Sequence, residues 1–493
     1  MPSHSAAPPR VAVIGAGITG LAAAHRLVEI SPELQLTVYE SSDRAGGVLQ
    51  TVSRDGFLIE RSADNFLVKT PWAIDLCRRL GIVDDLLPTD EKRRKALVIR
   101  DGKVVPAPVG FVLMSPKKLG SVLASPVLSW RGKLRLLCEP FIRRGAVSGG
   151  GDESVASFAR RRLGNEVFDR LVQPLLAGIY TADPDKLSMA ATMPQFVEQE
   201  KRYGSLCRAA WKEQADERPG ASRVNSAEES GARYGLFLAP RNGIQQLVDA
   251  LVDRLPSGSL RLSTPVESIQ PGGGEWLVRS SDGEQRFEAV LMTAPAHYAS
   301  RMLAAASVDL SAALGEIQYA GCSIVCLAFH RDQIGADLPG FGFVVPTIEN
   351  RQIIAASFSS LKFPGRAPDD QVLIRVFVGG ALQPKLAELA DDQLRSLATS
   401  ELQDLLAITG EPSLCEIARW PRGMPQYHVG HLDRVERIEA LVSQQPGLEI
   451  AGAAYRGVGI PQCIHGGEQA AERLIEWLGD RDLSDQEKMP GVG

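Results

Sequence analysis

Nowhere in the 493 residues is there an uninterrupted apolar run of the ~18–20 residues that a membrane-spanning helix requires. Surplus positive charge is missing too: 54 Lys and Arg stand against 59 Asp and Glu, a net charge of −5. That balance speaks against a protein that works by neutralising the phosphates of a nucleic acid. The seven cysteines are odd in number and scattered over the whole length, which excludes a disulfide framework. No Cys-x-x-Cys pair occurs, and Cys322 and Cys326 have no histidine at zinc-site spacing. Those two read as buried thiols on a strand or short helix. There is no Ser-His-Asp or metal constellation, and no repeat of solenoid or propeller length. Met1 to Arg10 lacks the basic and apolar build of a signal peptide. The expectation is a cytoplasmic protein, at most peripheral on the inner face of the membrane.

What is there has the balance of an ordinary globular protein, 44% hydrophobic and 23% charged. At ~100–200 residues per domain, the length allows two to four domains. Residues 11–90 alternate strand and helix patterns, and residues 91–230 read as mostly helical, ending in a polar loop-like tract from Lys212 to Ser230. Later β-type runs are Trp276-Leu277-Val278, Phe287–Met292, Ser323–Phe329, Phe341–Val345 and Val372–Val378. Near the end, Ala471, Leu474, Ile475 and Leu478 repeat at helical spacing.

Val11-Ala12-Val13-Ile14 is a buried parallel-strand run, followed without a gap by Gly15-Ala16-Gly17-Ile18-Thr19-Gly20. This G-x-G-x-x-G needs glycine for a tight turn, for backbone approach to a pyrophosphate, and for close helix–strand packing. The phosphates would sit on the helix N-terminus. A second strand, Leu36-Thr37-Val38-Tyr39, ends in Glu40, where a carboxylate accepts hydrogen bonds from an adenosine ribose. Glu40 opens the string E-x-x-x-R-x-G-G with Arg44, Gly46 and Gly47, which favours FAD over NAD. A flavin dinucleotide extends past the pyrophosphate, so Arg44 can meet a phosphate and the two glycines can let the chain lie against its far end.

On these motifs the chain resembles the flavin superfamily of amine oxidases, phytoene desaturases and protoporphyrinogen oxidases. Gln173-Pro174-Leu175-Leu176-Ala177-Gly178-Ile179-Tyr180 with Asp183-Pro184 and Leu187-Ser188 is similar to the helical-domain motif of porphyrinogen oxidases. Pro425-Gln426-Tyr427-His428-Val429-Gly430-His431 and the segment from Gly452 to Ile464 also resemble stretches of that family. The resemblance runs from about Val11 to Leu478. It implies an α/β fold: a Rossmann-like, doubly wound FAD domain with an inserted β-rich (α+β) substrate domain and an inserted helical domain. The division would be 1–90, 231–295 and 416–480 for the FAD domain, 91–230 helical, 296–415 for substrate, and 481–493 a tail.

By position, the resemblance implies FAD contacts from Gly15, Ala16, Gly17, Ile18, Thr19 and Gly20, from Glu40, Ser41 and Val48, and from Ser62-Ala63-Asp64-Asn65. Val266 would meet the adenine through its backbone, and Trp420, Val458, Gly459 and Ile460 would complete the set. The implied reaction takes a porphyrinogen to the porphyrin in three two-electron steps, with O2 as acceptor and H2O2 as product, in haem biosynthesis. The flavin carries that chemistry, so no catalytic side chain is required. The helix after Pro461 could aim its N-terminus at the reduced ring.

Substrate candidates are Gly178 through its carbonyl, Phe358 on a ring face, and Lys69 on a propionate. The bland alternatives are plain core for Phe358 and an ordinary surface lysine for Lys69. His428, His431 and His465 are candidate proton acceptors, with a satisfied structural histidine as the alternative for each. Where eukaryotic protoporphyrinogen oxidases carry Gly-Pro-Arg-Gly, this chain has Ser62-Ala63-Asp64-Asn65, so the arginine assigned to a propionate is missing. That departure resembles the Gram-positive-type enzymes. With Asp64 expected to repel a carboxylate, it favours coproporphyrinogen III, with its four propionates, over protoporphyrinogen IX.

Lys117 to Arg144 carries Lys117, Lys118, Arg131, Lys133, Arg135, Arg143 and Arg144 against one acid, Glu139, with Trp130 and Phe141 among them. A basic amphipathic stretch suits an anionic membrane surface, and a solvated helix face is the plain alternative. Delivery of the porphyrin to a downstream chelatase is the other partner expectation. The competing functions are a flavin amine oxidase or carotenoid desaturase, and a non-enzymatic carrier resembling the GDP-dissociation inhibitors. The carrier would be colourless.

Overall fold

The computed structural model describes residues 8–145, 151–216 and 237–487, so most of the polar tract from Lys212 to Ser230 lies outside the described residues. Strand Arg10–Ile14 is apolar and buried from Val11 onward because both its faces are covered. It is the centre of a five-stranded parallel sheet in the order Leu260–Arg261, Gln35–Tyr39, Arg10–Ile14, Ala289–Met292, Leu448–Ile450. Val11 and Val13 share a core with Leu21 and Ala24 of helix Ile18–Ile30 and with Ala471 and Leu474 of helix Ile460–Glu487. Ala12 and Ile14 belong to the core on the other side, with Trp276, Val278 and Phe287. Those three come from an antiparallel sheet of Val266–Gly272, Glu275–Ser280 and Gly283–Phe287. The first and last helices of the described chain are thus packed into one layer. The last helix runs on through residues 481–487, which the sequence assigned to a tail.

The run Phe287–Met292, expected as one strand, divides at Glu288. Phe287 closes the antiparallel sheet and Ala289–Met292 enters the parallel one. Glu288 fixes the crossing: its amide donates to Arg10 O at 3.0 Å and its carboxylate accepts from Arg10 N at 2.7 Å.

A seven-stranded mixed sheet forms the second layer. Its order is Leu414–Pro425, Tyr319–His330, Gln371–Gly379, Ala355–Phe358, Gly342–Val344, Leu97–Arg100, Lys103–Pro106. Two of its strands come from the segment expected to be helical, and one from a segment assigned mainly to the cofactor domain. Leu97 and Ile99 face helix Asp391–Leu406 in its core, a two-residue alternation too short to stand out among the neighbouring Lys and Arg. Cys322 and Cys326 lie on its long strand. Hairpin Thr51–Arg54/Phe57–Glu60 ties this sheet to the cofactor side, with Phe57 and Ile59 packed against Ile324, Cys326 and Leu373.

Helices Trp130–Leu137, Val155–Leu163, Gln173–Tyr180, Pro194–Tyr203 and Leu206–Asp216 belong to the third body, whose core holds Phe158, Phe168 and Phe196. Inside it, Glu139 is fully buried and ion-paired with Arg162. Its carboxylate also accepts the amides of Leu206 and Cys207, at 3.0 and 3.2 Å, which a helix N-terminus leaves open. The one acid of the basic stretch is therefore an internal partner and not part of its surface.

Candidate cofactor and substrate site

At the carboxyl end of the central strand the chain turns through Gly15, φ 105°, into the helix beginning at Ile18. A Cβ on Gly20 would lie 1.9 Å from Gly15 O, so only glycine lets helix and turn approach this closely. Gly17 is different: φ is −70° and a Cβ there would meet nothing within 4 Å. Neither strain nor crowding demands that glycine, which is what a residue facing an external ligand would show.

Glu40 stands over this turn. One carboxylate oxygen accepts Ala16 N at 2.9 Å, and the other accepts Ser42 N at 2.9 Å, with the Ser41 and Ser42 hydroxyls close by. Thr264 N donates to Glu40 O at 2.8 Å, bringing the segment that leads into Val266 beside the same strand end. Gly46 N donates to Ala16 O at 2.8 Å, so the double glycine lies along the phosphate turn, with Val48 exposed next to it. The Arg44 guanidinium donates to Ala45 O, Leu49 O and Gly47 O, so three of its five N–H groups staple its own loop.

The far half of the site is built on the other layer. Trp420 Nε1 donates to Arg61 O at 2.7 Å, and Arg375 donates to Ser62 O, holding the Ser62–Asn65 loop against the seven-stranded sheet. Asp64 is buried and accepts from Lys362 Nζ at 3.1 Å, with Arg375 at 3.3 Å and the Asn65 amide alongside. Burial pushes its carboxyl up, but Lys362 and Arg375 outweigh that and hold it below the ordinary value. The expected repulsion of a substrate carboxylate by Asp64 is therefore wrong, because two cations neutralise it. Val458, Gly459 and Ile460 are set by Tyr427, whose hydroxyl accepts Gly457 N at 2.8 Å and donates to Ala453 O at 2.6 Å.

Gly178 is exposed on helix Gln173–Tyr180, and a Cβ there would be 3.6 Å from Val344. Val344, Tyr180 and Val458 pack against one core, which ties the helical motif to the C-terminal segment. Lys69 is exposed, beyond strand Phe66–Leu67. Phe358 is a correction. It is fully buried, edge-on to Phe343 at 6.1 Å, and belongs to the core under helix Asp391–Leu406. His431 is another: fully buried, stacked on Tyr427 at 3.9 Å and bonded to Tyr455 O, it is lowered by burial to about 4. His465 stacks on Trp72 at 3.9 Å, on the helix layer. His428 is half-buried and bridged to Leu187; burial, with Lys186 adding to it, lowers its imidazole and favours the neutral form.

Tyr427 was legible only as part of a motif. Lys362 and Arg375 had no mark in the sequence, since only the fold brings them to Asp64.

The residues fit a flavin dinucleotide. The open position at Gly17 and the carboxylate of Glu40 suit its phosphate–ribose end, while the far half holds buried polar atoms without a hydrogen-bond partner, Ser62 Oγ and Arg375 Nε among them. A parallel sheet with an open phosphate turn, closed over by a second sheet, defines the class as a dinucleotide-binding α/β protein. The family described as flavin containing amine oxidoreductase matches residues 18–475. A coproporphyrinogen III oxidase of Bacillus subtilis (strain 168) is 32% identical over 95% of this chain and 98% of its own length. Protoporphyrinogen oxidase 2 of Arabidopsis thaliana is 31% identical over 95% and 94%. The crystal structure of a proposed protoporphyrinogen oxidase from Exiguobacterium sp. 255-15 superposes with a TM-score of 0.82 at 29% identity, covering 94% of this chain and 98% of that one. The chain belongs to the flavin-containing amine oxidoreductases, on the branch of the coproporphyrinogen III and protoporphyrinogen oxidases.

Proposed function

We propose that the protein is an FAD-dependent oxidase that converts coproporphyrinogen III to coproporphyrin III, using O2 and releasing H2O2, in haem biosynthesis. The observation that carries this is the end-to-end likeness to the Bacillus coproporphyrinogen III oxidase together with a cradle suited to a flavin dinucleotide. FAD would supply hydride acceptance and reoxidation by O2. The protein's share is placement. The N-terminus of helix Ile18–Ile30 faces the pyrophosphate, Glu40 takes the ribose hydroxyls, and Tyr427 fixes the backbone of Gly457 for the flavin end. Gly178 offers a backbone edge to the pyrrole N–H groups and Lys69 a cation to a propionate. His428, half-buried and lowered by burial towards the neutral form, is a candidate to accept a proton, as is His465.

The preference for coproporphyrinogen III rests on the missing arginine in Ser62–Asn65, because a site without a fixed clamp suits a rim of four solvated carboxylates. It no longer rests on repulsion by Asp64. Lys117 to Arg144 would carry the contact with an anionic membrane surface, and the porphyrin would pass to a downstream chelatase.

Purified protein should be yellow and form porphyrin fluorescence from both porphyrinogens under air, with the higher kcat/KM for coproporphyrinogen III. A higher value for protoporphyrinogen IX would reassign the substrate. A yellow protein inert towards both would overturn the oxidase reading, and a folded protein that takes up no flavin would point to the carrier.

A further inference from the structure

Five ionisable side chains, Glu60, Asp64, Lys362, Arg366 and Arg375, are buried around the Ser62–Asn65 loop. Three are cations and two are carboxylates. Burial pushes Glu60 upward and Lys362 downward, weakening one charge of each sign, so the excess of one cation stands. Arg366 donates to Pro240 O and Arg241 O at 2.8 and 2.7 Å, Arg375 to Ser62 O, and Lys362 to both oxygens of Asp64. Carbonyls satisfy the N–H groups but supply no net charge. A buried net charge is costly without a counter-charge or an electron-rich neighbour. A second observation points the same way. Arg375 Nε, Ser62 Oγ and Ser359 Oγ are buried without a hydrogen-bond partner, and all three belong to this loop or to the elements that carry its cations.

We propose that this surplus of buried positive charge sets the reduction potential of the bound flavin, with Lys362 and Arg375 as positioning residues that hold the charge at the loop through Asp64. The inference rests on the flavin reading above. A flavin that takes up two electrons and one proton gains one negative charge, and a fixed cation beside its loop favours that form. The pairing with Asp64 tempers the effect, so the two members of the ion pair act in opposite directions.

The test is the midpoint potential of the flavin in the purified holoprotein, measured by reductive titration against a reference dye. Lys362→Met should lower the equilibrium constant for two-electron reduction about tenfold, as for a unit charge removed at low effective dielectric. That is ~30 mV in midpoint potential for a two-electron couple. Asp64→Asn should raise it by a similar factor, and Lys362→Arg should restore the wild-type value. Opposite shifts in Lys362→Met and Asp64→Asn support the proposal. Shifts of the same sign, no shift, or loss of flavin from both variants overturn it and leave the cluster a role in folding alone. Wild-type protein that binds no flavin fails differently: it overturns the functional reading, and this inference with it.

Discussion

The hydroxyl of Tyr427 lies 2.8 Å from the amide nitrogen of Gly457, accepting its hydrogen while donating to Ala453 O at 2.6 Å. One side chain thus spans the turn that carries Val458 and Gly459. Tyr427→Phe would leave an amide and a carbonyl without their partner, at a cost of ~1–3 kcal/mol for a buried group. If the turn forms part of the flavin seat, the FAD dissociation constant should rise roughly tenfold, with kcat falling less. Titration of the apoprotein by flavin fluorescence measures it, and an unchanged constant would detach this turn from the cofactor.

Gly17 and Gly20 make opposite predictions. Gly20→Ala puts a methyl 1.9 Å from Gly15 O, inside any van der Waals contact, so the expected outcome is a destabilised or unfolded protein. Gly17→Ala meets no atom within 4 Å and has an ordinary φ, so the apoprotein should keep its Tm. FAD binding should nonetheless fail, since the methyl occupies the place of the phosphates. A Gly17→Ala protein that binds FAD normally would show that the pyrophosphate does not pass over this turn.

Glu40→Ala removes a charged acceptor from the ribose, and a charged hydrogen bond contributes ~1.5–3 kcal/mol. The FAD dissociation constant should rise about 10- to 100-fold. Glu40→Gln should recover part of it, because it keeps an acceptor for Ala16 N.

The cofactor half was legible because it is local. The stretch 10–40 holds a strand, a turn, a helix and the next strand end, with Gly15 and Gly20 required by conformation or crowding and Gly17 left open for a ligand. The substrate half was not. Phe358 carries the same sequence mark whether it lines a cleft or fills a core, and only the packing of helix Asp391–Leu406 decides. Asp64 read as a free negative charge because Lys362 and Arg375 lie some three hundred residues away in sequence and meet it only through the seven-stranded sheet. Nor did the sequence show that Arg44 donates to the carbonyls of its own loop.

His431 predicts a pH dependence. Its ring is sealed and lowered by burial from 6.5 to about 4. The unfolded chain therefore binds a proton that the folded one refuses. Stability from this group is fully present above about pH 6.5 and is lost as pH falls towards 4, by up to about 3 kcal/mol. His431→Gln should flatten the unfolding free energy over that window. An equally steep fall in the variant, followed by urea denaturation, would place the acid sensitivity elsewhere.

Helix Trp130–Leu137 and the turn after it carry large apolar side chains on the surface. Trp130, Leu134 and Leu137 are 69%, 54% and 42% exposed at i, i+4 and i+7 of the helix, and Phe141 in the turn that follows is 82% exposed. A run of large apolar side chains left in water is unusual on a monomer surface and marks a contact site. Arg131, Arg143 and Arg144 are exposed beside it, whereas Arg135 turns inward to the carbonyls of Arg161 and Arg162 and Glu139 is sealed inside. One cation and one acid turn inward together, so the outward face keeps its basic excess around an apolar centre, a pattern that suits a lipid headgroup layer. No helix among the described residues is long and apolar enough to cross a membrane. Each basic residue contributes ~1 kcal/mol of attraction to an anionic leaflet, screened over ~8 Å at physiological ionic strength. Co-sedimentation with phosphatidylserine-containing vesicles should thus weaken with salt and with Arg131→Glu/Arg143→Glu. Trp130→Ser/Phe141→Ser should abolish the part that resists salt. Binding unmoved by both pairs of substitutions would return this helix to the role of a solvated face.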